Sequence, residues 1–200
     1  MLYRISVECK KTRNVTLTFF EDNNQIAMQT LNKYGDIIKS DGKIIDGIYH
    51  QKFKDSNKIE WQIPYKDGKI NGEVKQFYAS GKIHWLDYYK DNKQEGISRG
   101  YYESGALKYE CAYQNGKRNG CFKKFDEQGR PIFEKSYKNN IRHGITRKYY
   151  ENTGILKEEV EYFEGVVNGI TKKYYETGIL RKEENYLNGE KNGILRKFDE

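Results

Sequence analysis

Glycine recurs along this chain at an interval that leaves few folds open. Gly47, Gly72, Gly96, Gly120, Gly144, Gly169 and Gly193 are separated by 25, 24, 24, 24, 25 and 24 residues. Each opens a block that is the others rewritten: Gly169 begins GITKKYYETGILRKEENYLNGEKN and Gly144 begins GITRKYYENTGILKEEVEYFEGVVN. The blocks from Gly120, Gly96 and Gly72 keep the plan, a weaker copy starts at Gly47, and GILRKFDE follows from Gly193. A fixed period of this length marks a repeat architecture, in which each unit buries its surface mainly against its neighbours.

Two turn signals divide each block. One is x-Gly after an aromatic pair: Ser80-Gly81, Ser104-Gly105, Gln128-Gly129, Thr153-Gly154, Thr177-Gly178. The other follows a tyrosine or its equivalent: Asp67-Gly68, Asp91-Asn92, Asn115-Gly116, Asn139-Asn140, Glu164-Gly165, Asn188-Gly189. Tight hairpin loops need positive φ, which Gly, Asn and Asp tolerate. Turn punctuation this dense, with no apolar 3.6-residue period surviving across it, predicts an antiparallel meander.

Reading x-Gly as a two-residue loop fixes a register. It sets Tyr102 opposite Leu107, Arg99 opposite Glu110 and Gly96 opposite Tyr113. It likewise pairs Lys123 with Glu134, Gly120 with Tyr137, Tyr175 with Leu180, Lys172 with Glu183, and Gly169 with Tyr186. With one extra loop residue at Asn152, Arg147 meets Glu159 and Gly144 meets Tyr162, while Gly72 meets Tyr89 and Lys75 meets Leu86. Opposite charges and an aromatic over a bare glycine are favourable cross-strand neighbours, about 0.2–1 kcal/mol each. One face then carries Tyr102, Leu107, Tyr109, Cys111 and Tyr113, and the other Ile97, Arg99, Tyr101, Lys108 and Glu110. Neither is apolar enough for a two-sheet sandwich. The predicted fold is all-β: tandem β-hairpin repeats of about 24 residues forming an elongated, twisted antiparallel meander or open solenoid.

Residues 1–46 depart from the pattern and read as an N-terminal β cap or degenerate repeat, with strands at Tyr3–Glu8, Val15–Phe20 and Gln25–Leu31. Phe19-Phe20-Glu21 before Asp22-Asn23-Asn24 echoes the later Tyr-Tyr-Glu-x-Gly. Residues 47–200 form the array, six repeats plus a terminal strand. Only 36% of residues are apolar and 32% are charged, yet 18 tyrosines bring aromatics to 14%, which predicts an ordered chain with a thin core. The net charge of +7 comes from interleaved signs. Cys9, Cys111 and Cys121 form no C-x-x-C and fit a reducing compartment. Met1–Lys10 lacks the apolar core of a signal peptide and no run of 18 apolar residues occurs, so a soluble cytoplasmic chain without a transmembrane segment is expected.

The unit G-x-x-[KR]-x-[YF]-Y-E-x-G-x-L-K-x-E-x-x-Y-x-N-G-K-x-[NHE]-G resembles the MORN repeat variant of the bacterial YwqK-family antitoxins. Residues 144–193 carry it most completely; Ser56-Asn57 replaces x-Gly in the block from Gly47, and residues 1–46 lie outside it. The resemblance implies a non-enzymatic binding scaffold, in some members an antitoxin or immunity partner of a toxin. The original MORN repeats are similar in spacing and are linked to membrane apposition and lipid headgroups.

A basic ladder, Lys75, Arg99, Lys123, Arg147, Lys172 and Arg196, recurs at one slot of each block. Most members face an acid in the register above; Lys75 and Arg196 show none in their own hairpins. Beside it runs an aromatic ladder, Phe77, Tyr101, Phe125, Tyr149, Tyr174 and Phe198. Tyrosine and arginine together suit a protein interface, and Tyr101, Tyr149, Tyr174, Arg147 and Lys172 are the candidate partner-binding residues. His50, His84 and His143 have no ligand-spaced companions, and His143 reads as a turn residue. Cys111 falls at the slot of Val160, and Cys121 at that of Ile145 and Ile170. No catalytic or phosphate-loop motif is present, so neither an enzyme nor a cofactor is expected. The expected partner is another protein, in the antitoxin reading a toxin neutralised by occlusion. The alternative is a peripheral module that holds anionic lipid or nucleic acid through unpaired Lys75, Lys148, Lys173 and Arg196. A third reading is an ordered spacer joined through sheet edges, countered by the charged Arg196-Lys197 and Glu200 at the last edge. Lys10–Arg13 and Glu21-Asp22 form the least repetitive charged surface.

Overall fold

The computed structural model describes residues 1–8, 12–34 and 36–200; Cys9 and the Lys10-Lys11 part of the N-terminal basic run lie outside them. Every regular element among the described residues is a strand. The chain divides into two compact units, Met1–Lys93 and Gln94–Glu200. Residues 1–46 and 47–93 therefore fall within the first.

The first unit begins with β1 (Leu2–Glu8), β2 (Val15–Glu21), β3 (Asn24–Leu31) and β4 (Ile37–Gly42). Three of these were expected; β4, sequence IIKSDG, was not. β1 pairs with β2 along its full length and β3 pairs with both β2 and β4, all antiparallel. The β2–β3 turn is Asp22-Asn23, with φ of 45° and 71°. It is therefore a two-residue turn of the Asn/Asp type, one residue shorter than the x-Gly loops, with a one-residue bulge at Ile26 after it. β1 also joins β5 (Gly47–Lys52) through a parallel bridge, Tyr3 to His50. From there β6 (Ile59–Lys66) pairs with β5 and receives β7 (Lys69–Ile70) and β8 (Gly72–Phe77), and β9 (Ile83–Lys90) pairs with β8.

This unit has a real core. Phe19, Tyr49 and Tyr65 meet edge to face with centroids 5.2–5.4 Å apart, and Leu17, Ala27, Ile44, Ile63 and Val74 close around them. Phe19 and Tyr49 are 0% exposed. The buried hydroxyls keep partners: Tyr49 donates to the Ile45 carbonyl at 3.1 Å, and Tyr65 accepts from Arg4 at 2.8 Å.

The second unit is the regular meander. Its strands are β10 (Lys93–Tyr101), β11 (Leu107–Gln114), β12 (Lys117–Phe125), β13 (Pro131–Lys138), β14 (Ile141–Tyr149), β15 (Leu156–Phe163), β16 (Val166–Tyr174), β17 (Leu180–Leu187) and β18 (Glu190–Lys197). Each pairs antiparallel with the next. The expected Gly–Tyr and base–acid pairs all occur, among them Gly96 with Tyr113, Lys123 with Glu134, Arg147 with Glu159 and Lys172 with Glu183.

The x-Gly loops differ from the expectation. Glu103-Ser104-Gly105 is a three-residue loop: the Tyr102 amide donates to the Ala106 carbonyl and the Gly105 amide to the Tyr102 carbonyl, both at 2.9 Å. Tyr101 therefore faces Leu107 and Tyr174 faces Leu180, not Tyr102 and Tyr175. A one-residue bulge at Lys108, and at Arg181 in the later hairpin, then restores the expected register. Leu107 accordingly shares a face with Tyr101 and Arg99, opposite to Tyr109. Where Asn152 lengthens the loop, Tyr150 bonds Ile155 instead, so this loop too is one residue longer than expected and Lys157 is bulged in turn.

Candidate functional site

Pairing continues across hairpins as well as within them, and this assembles the charged residues into one row. Arg99, Glu110, Lys123, Glu134, Arg147, Glu159, Lys172, Glu183 and Arg196 stand directly opposite one another on successive strands β10–β18. Direct cross-strand partners share a face, so nine side chains of alternating sign cross the sheet in line. Arg147 is bracketed, with Glu159 at 2.8 Å and Glu134 at 3.4 Å. Glu110 is shared by Arg99 at 3.8 Å and Lys123 at 4.0 Å. For Arg147, burial would lower the guanidinium pKa, but the hydrogen bond and charge of Glu159 together with the hydrogen bond to Glu134 raise it above its ordinary value.

The aromatic ladder flanks this row on the same face. Tyr101, Phe125, Tyr149 and Tyr174 each oppose an aliphatic ring or chain: Leu107, Pro131, Leu156 and Leu180. On the row's other side lie Ile97, Ile145, Ile170 and Ile194, all exposed. The five candidate residues, Tyr101, Tyr149, Tyr174, Arg147 and Lys172, therefore share one face, and all five are half-buried. Burial, and then the neighbouring Glu134, raise the Tyr149 hydroxyl pKa.

The second tyrosine of each pair serves the fold instead. The Tyr102, Tyr150 and Tyr175 hydroxyls donate to the carbonyls of Phe125, Tyr174 and Phe198 at 2.9, 2.8 and 3.1 Å. The bulged base of each hairpin, Lys108, Lys157 or Arg181, lies over the same ring at 5.1–5.5 Å. In the block from Gly120 the pair reads Phe125-Asp126, and Arg130 reaches across in its place, donating to the Asn152 carbonyl at 2.6 Å.

Several charge assignments change. Arg196 pairs with Glu183 at 3.1 Å, in the neighbouring strand β17, and Lys75 with Glu73 at 2.8 Å on its own strand. Lys148 and Lys173 both hold Glu158, at 2.8 and 3.4 Å. The four bases read as unpaired are all ion-paired. His143 sits in β14, tilted 5.1 Å from Phe163, and is not a turn residue. Cys111 is buried in the same cross-strand row as Val160, and Cys121 lies on the opposite face; both are free thiols. Among the described residues no group of three or more His, Cys, Asp and Glu side chains converges as metal ligands do.

The opposite face carries Tyr113, Tyr137, Tyr162 and Tyr186 laid against Gly96, Gly120, Gly144 and Gly169. Next to them runs a mostly small-residue row, with Ser98, Cys111, Thr146, Val160 and Thr171 buried. Phe122, the buried Glu184 and Leu195 interrupt that row on β12, β17 and β18, and so does Lys135 on β13. The repeat itself signalled the last of these, since Lys135 occupies the slot of Cys111 and Val160.

Four segments match the MORN repeat variant. They are residues 70–91, 94–115, 118–139 and 167–188. Of residues 144–193, expected to fit most fully, the match covers 167–188; the block from Gly144 keeps the repeat's register outside it. No curated protein matches the chain. Among solved structures, a similar chain is a mutant of Staphylococcus aureus TarM in complex with fondaparinux, α-GlcNAc-glycerol and UDP, at 14% identity and a TM-score of 0.34. The likeness covers 54% of this chain and 21% of that one, and nothing about function is drawn from it. MORN repeats commonly mediate protein or membrane interactions, and among the described residues no helix is long and apolar enough to cross a membrane.

Proposed function

We propose that this chain is a non-enzymatic scaffold that holds another protein on the charged face of its C-terminal repeats. Within that reading the held protein is a toxin, neutralised in a bacterial cytoplasm by occlusion, as the likeness to YwqK-family antitoxins suggests. The observation that supports it is the row of alternating bases and glutamates, flanked on one side by aromatics that alternate with leucine or proline and on the other by the exposed Ile97, Ile145, Ile170 and Ile194. Such a surface offers rigid aromatic area and fixed charges at little ordering cost. Arg147 and Lys172 would set register, and Tyr101, Tyr149 and Tyr174 would supply contact area.

The test is retention of partners from native lysate on the tagged chain at moderate and high salt, with Tyr149→Ala/Tyr174→Ala alongside. One dominant protein that survives high salt and is lost from the double variant is the expected result. Capture unchanged by the folded double variant would remove these residues from the interface. Recovery of only nucleic acid or lipid, released as salt rises, would favour the electrostatic alternative. Ion pairing of Lys75, Lys148, Lys173 and Arg196 weighs against that alternative.

A further inference from the structure

The first unit carries a cavity that neither its aromatic core nor the repeat pattern accounts for. It has a volume of about 570 Å³ and lies where β4 ends, beside the Asp67-Gly68 turn between β6 and β7. All of its lining precedes residue 70, outside the segments that match the MORN repeat variant. Gln29 lines it from β3. That residue stands in the core-facing row, between Leu17 on β2 and Ser40 on β4, and is only 9% exposed. Its side-chain amide makes no hydrogen bond to any described residue. A polar group so placed ordinarily has a partner, and here the amide meets the cavity instead.

Three charged side chains line the same cavity: Lys43, Asp46 and Asp67. Asp46 Oδ1 accepts the Asp67 amide at 2.8 Å, which pins its carboxylate beside the turn. Beyond that bond none of the three has a side-chain partner among the described residues, and no ammonium–carboxylate distance between them is 4.0 Å or less. Opposite charges thus share one wall without neutralising each other. Ile44 and Ile45 supply the apolar part of the lining, and Gly42 and Gly68 add no side chain.

We propose that this cavity binds a free α-amino acid in its zwitterionic form. Asp46 and Asp67 take the ammonium group, Lys43 takes the carboxylate, and the Gln29 amide, both donor and acceptor, bonds across them. The isoleucines pack on the bound side chain. A simple cation would leave Lys43 without a counter-charge, and a sugar finds no aromatic ring among the lining residues to lie against. Apolar walls with a few convergent polar groups are the usual make-up of a small-molecule site. The site is independent of the protein-holding face.

The experiment is a thermal-shift screen of the full chain against each standard L-α-amino acid, followed by titration calorimetry. At least one is expected to raise Tm with increasing concentration and to bind saturably. Its amide, which lacks the carboxylate, and its N-acetyl form, which lacks the ammonium group, should bind about tenfold or more weakly. Lys43→Met should weaken the amino acid about tenfold and leave the amide form unchanged, which a merely structural role would not produce. Gln29→Met should also weaken binding, yet melt no lower than the parent chain without ligand, because it removes an unpartnered buried amide. Failure of every amino acid to bind would overturn the site. So would an amide that binds as tightly as its parent acid, or unchanged affinity in Lys43→Met.

Discussion

At the scale of single residues, two glycines with the same torsion separate backbone strain from close approach. Gly42 has φ +73° and Gly68 φ +72°. A Cβ on Gly68 would meet nothing within 4 Å, whereas one on Gly42 would run into the backbone carbonyl of Ile26. Gly68→Ala should cost the left-handed penalty alone, about 1–2 kcal/mol. Gly42→Ala should cost that and an overpacking contribution of about 1–3 kcal/mol. Urea denaturation of both variants checks this; equal losses would show that the Ile26 contact is not limiting. Gly42 also shows where the sequence misleads. Asp41-Gly42 carries turn chemistry, and Ile37-Ile38-Lys39-Ser40 lacks apolar–polar alternation, so β4 could not be read. Its pairing with β3 supplies the evidence that its composition does not.

At the scale of the hairpin, the register was legible because it is written twice, in base–acid pairs and in tyrosines over glycines. The loop length was not, for a physical reason. Adding one residue to the loop and one bulged residue to the following strand leaves every pair beyond the bulge unchanged, so both solutions satisfy the same sequence pattern. The charged row was half legible: pairs within hairpins were visible, but the bonds of Glu110 to Lys123 and Glu134 to Arg147 join neighbouring hairpins. The tyrosine staples are a further link of that kind. Tyr150→Phe keeps the ring under Lys157 and removes only the 2.8 Å bond to the Tyr174 carbonyl. It should cost about 1 kcal/mol. Because repeats couple mainly to their neighbours, hydrogen exchange should quicken around Tyr150 and Tyr174 with little change near Tyr102. A loss spread evenly over β10–β18 would show that the staple is not a local tie.

At the scale of the molecule, one repeat grammar supports two units that hold together by different means. Met1–Lys93 buries Phe19, Tyr49, Ile63 and Tyr65 in a shared core. Gln94–Glu200 relies on rows of paired charges, stapled tyrosines and a thin line of small residues. Acid should therefore act on them unequally. Burial would raise the Glu158 carboxyl, but Lys148 and Lys173 outweigh it and hold it below its ordinary value of 4.5. Hydrogen bonds from Lys182 and Lys191, at 2.8 and 2.9 Å, hold Glu184 below the same value. A carboxylate whose folded pKa is depressed contributes stability above its unfolded pKa, and that stability disappears as pH falls through the folded value. Loss in the second unit should thus begin near pH 4.5 and deepen below it. The two tryptophans, Trp61 and Trp85, both lie in the first unit, so their fluorescence reports that unit selectively. On acidification, exchange protection across residues 94–200 should fall before tryptophan emission shifts. Coincident transitions would mean that the aromatic core and the charge rows fail together, and that the division between the units is structural without being thermodynamic.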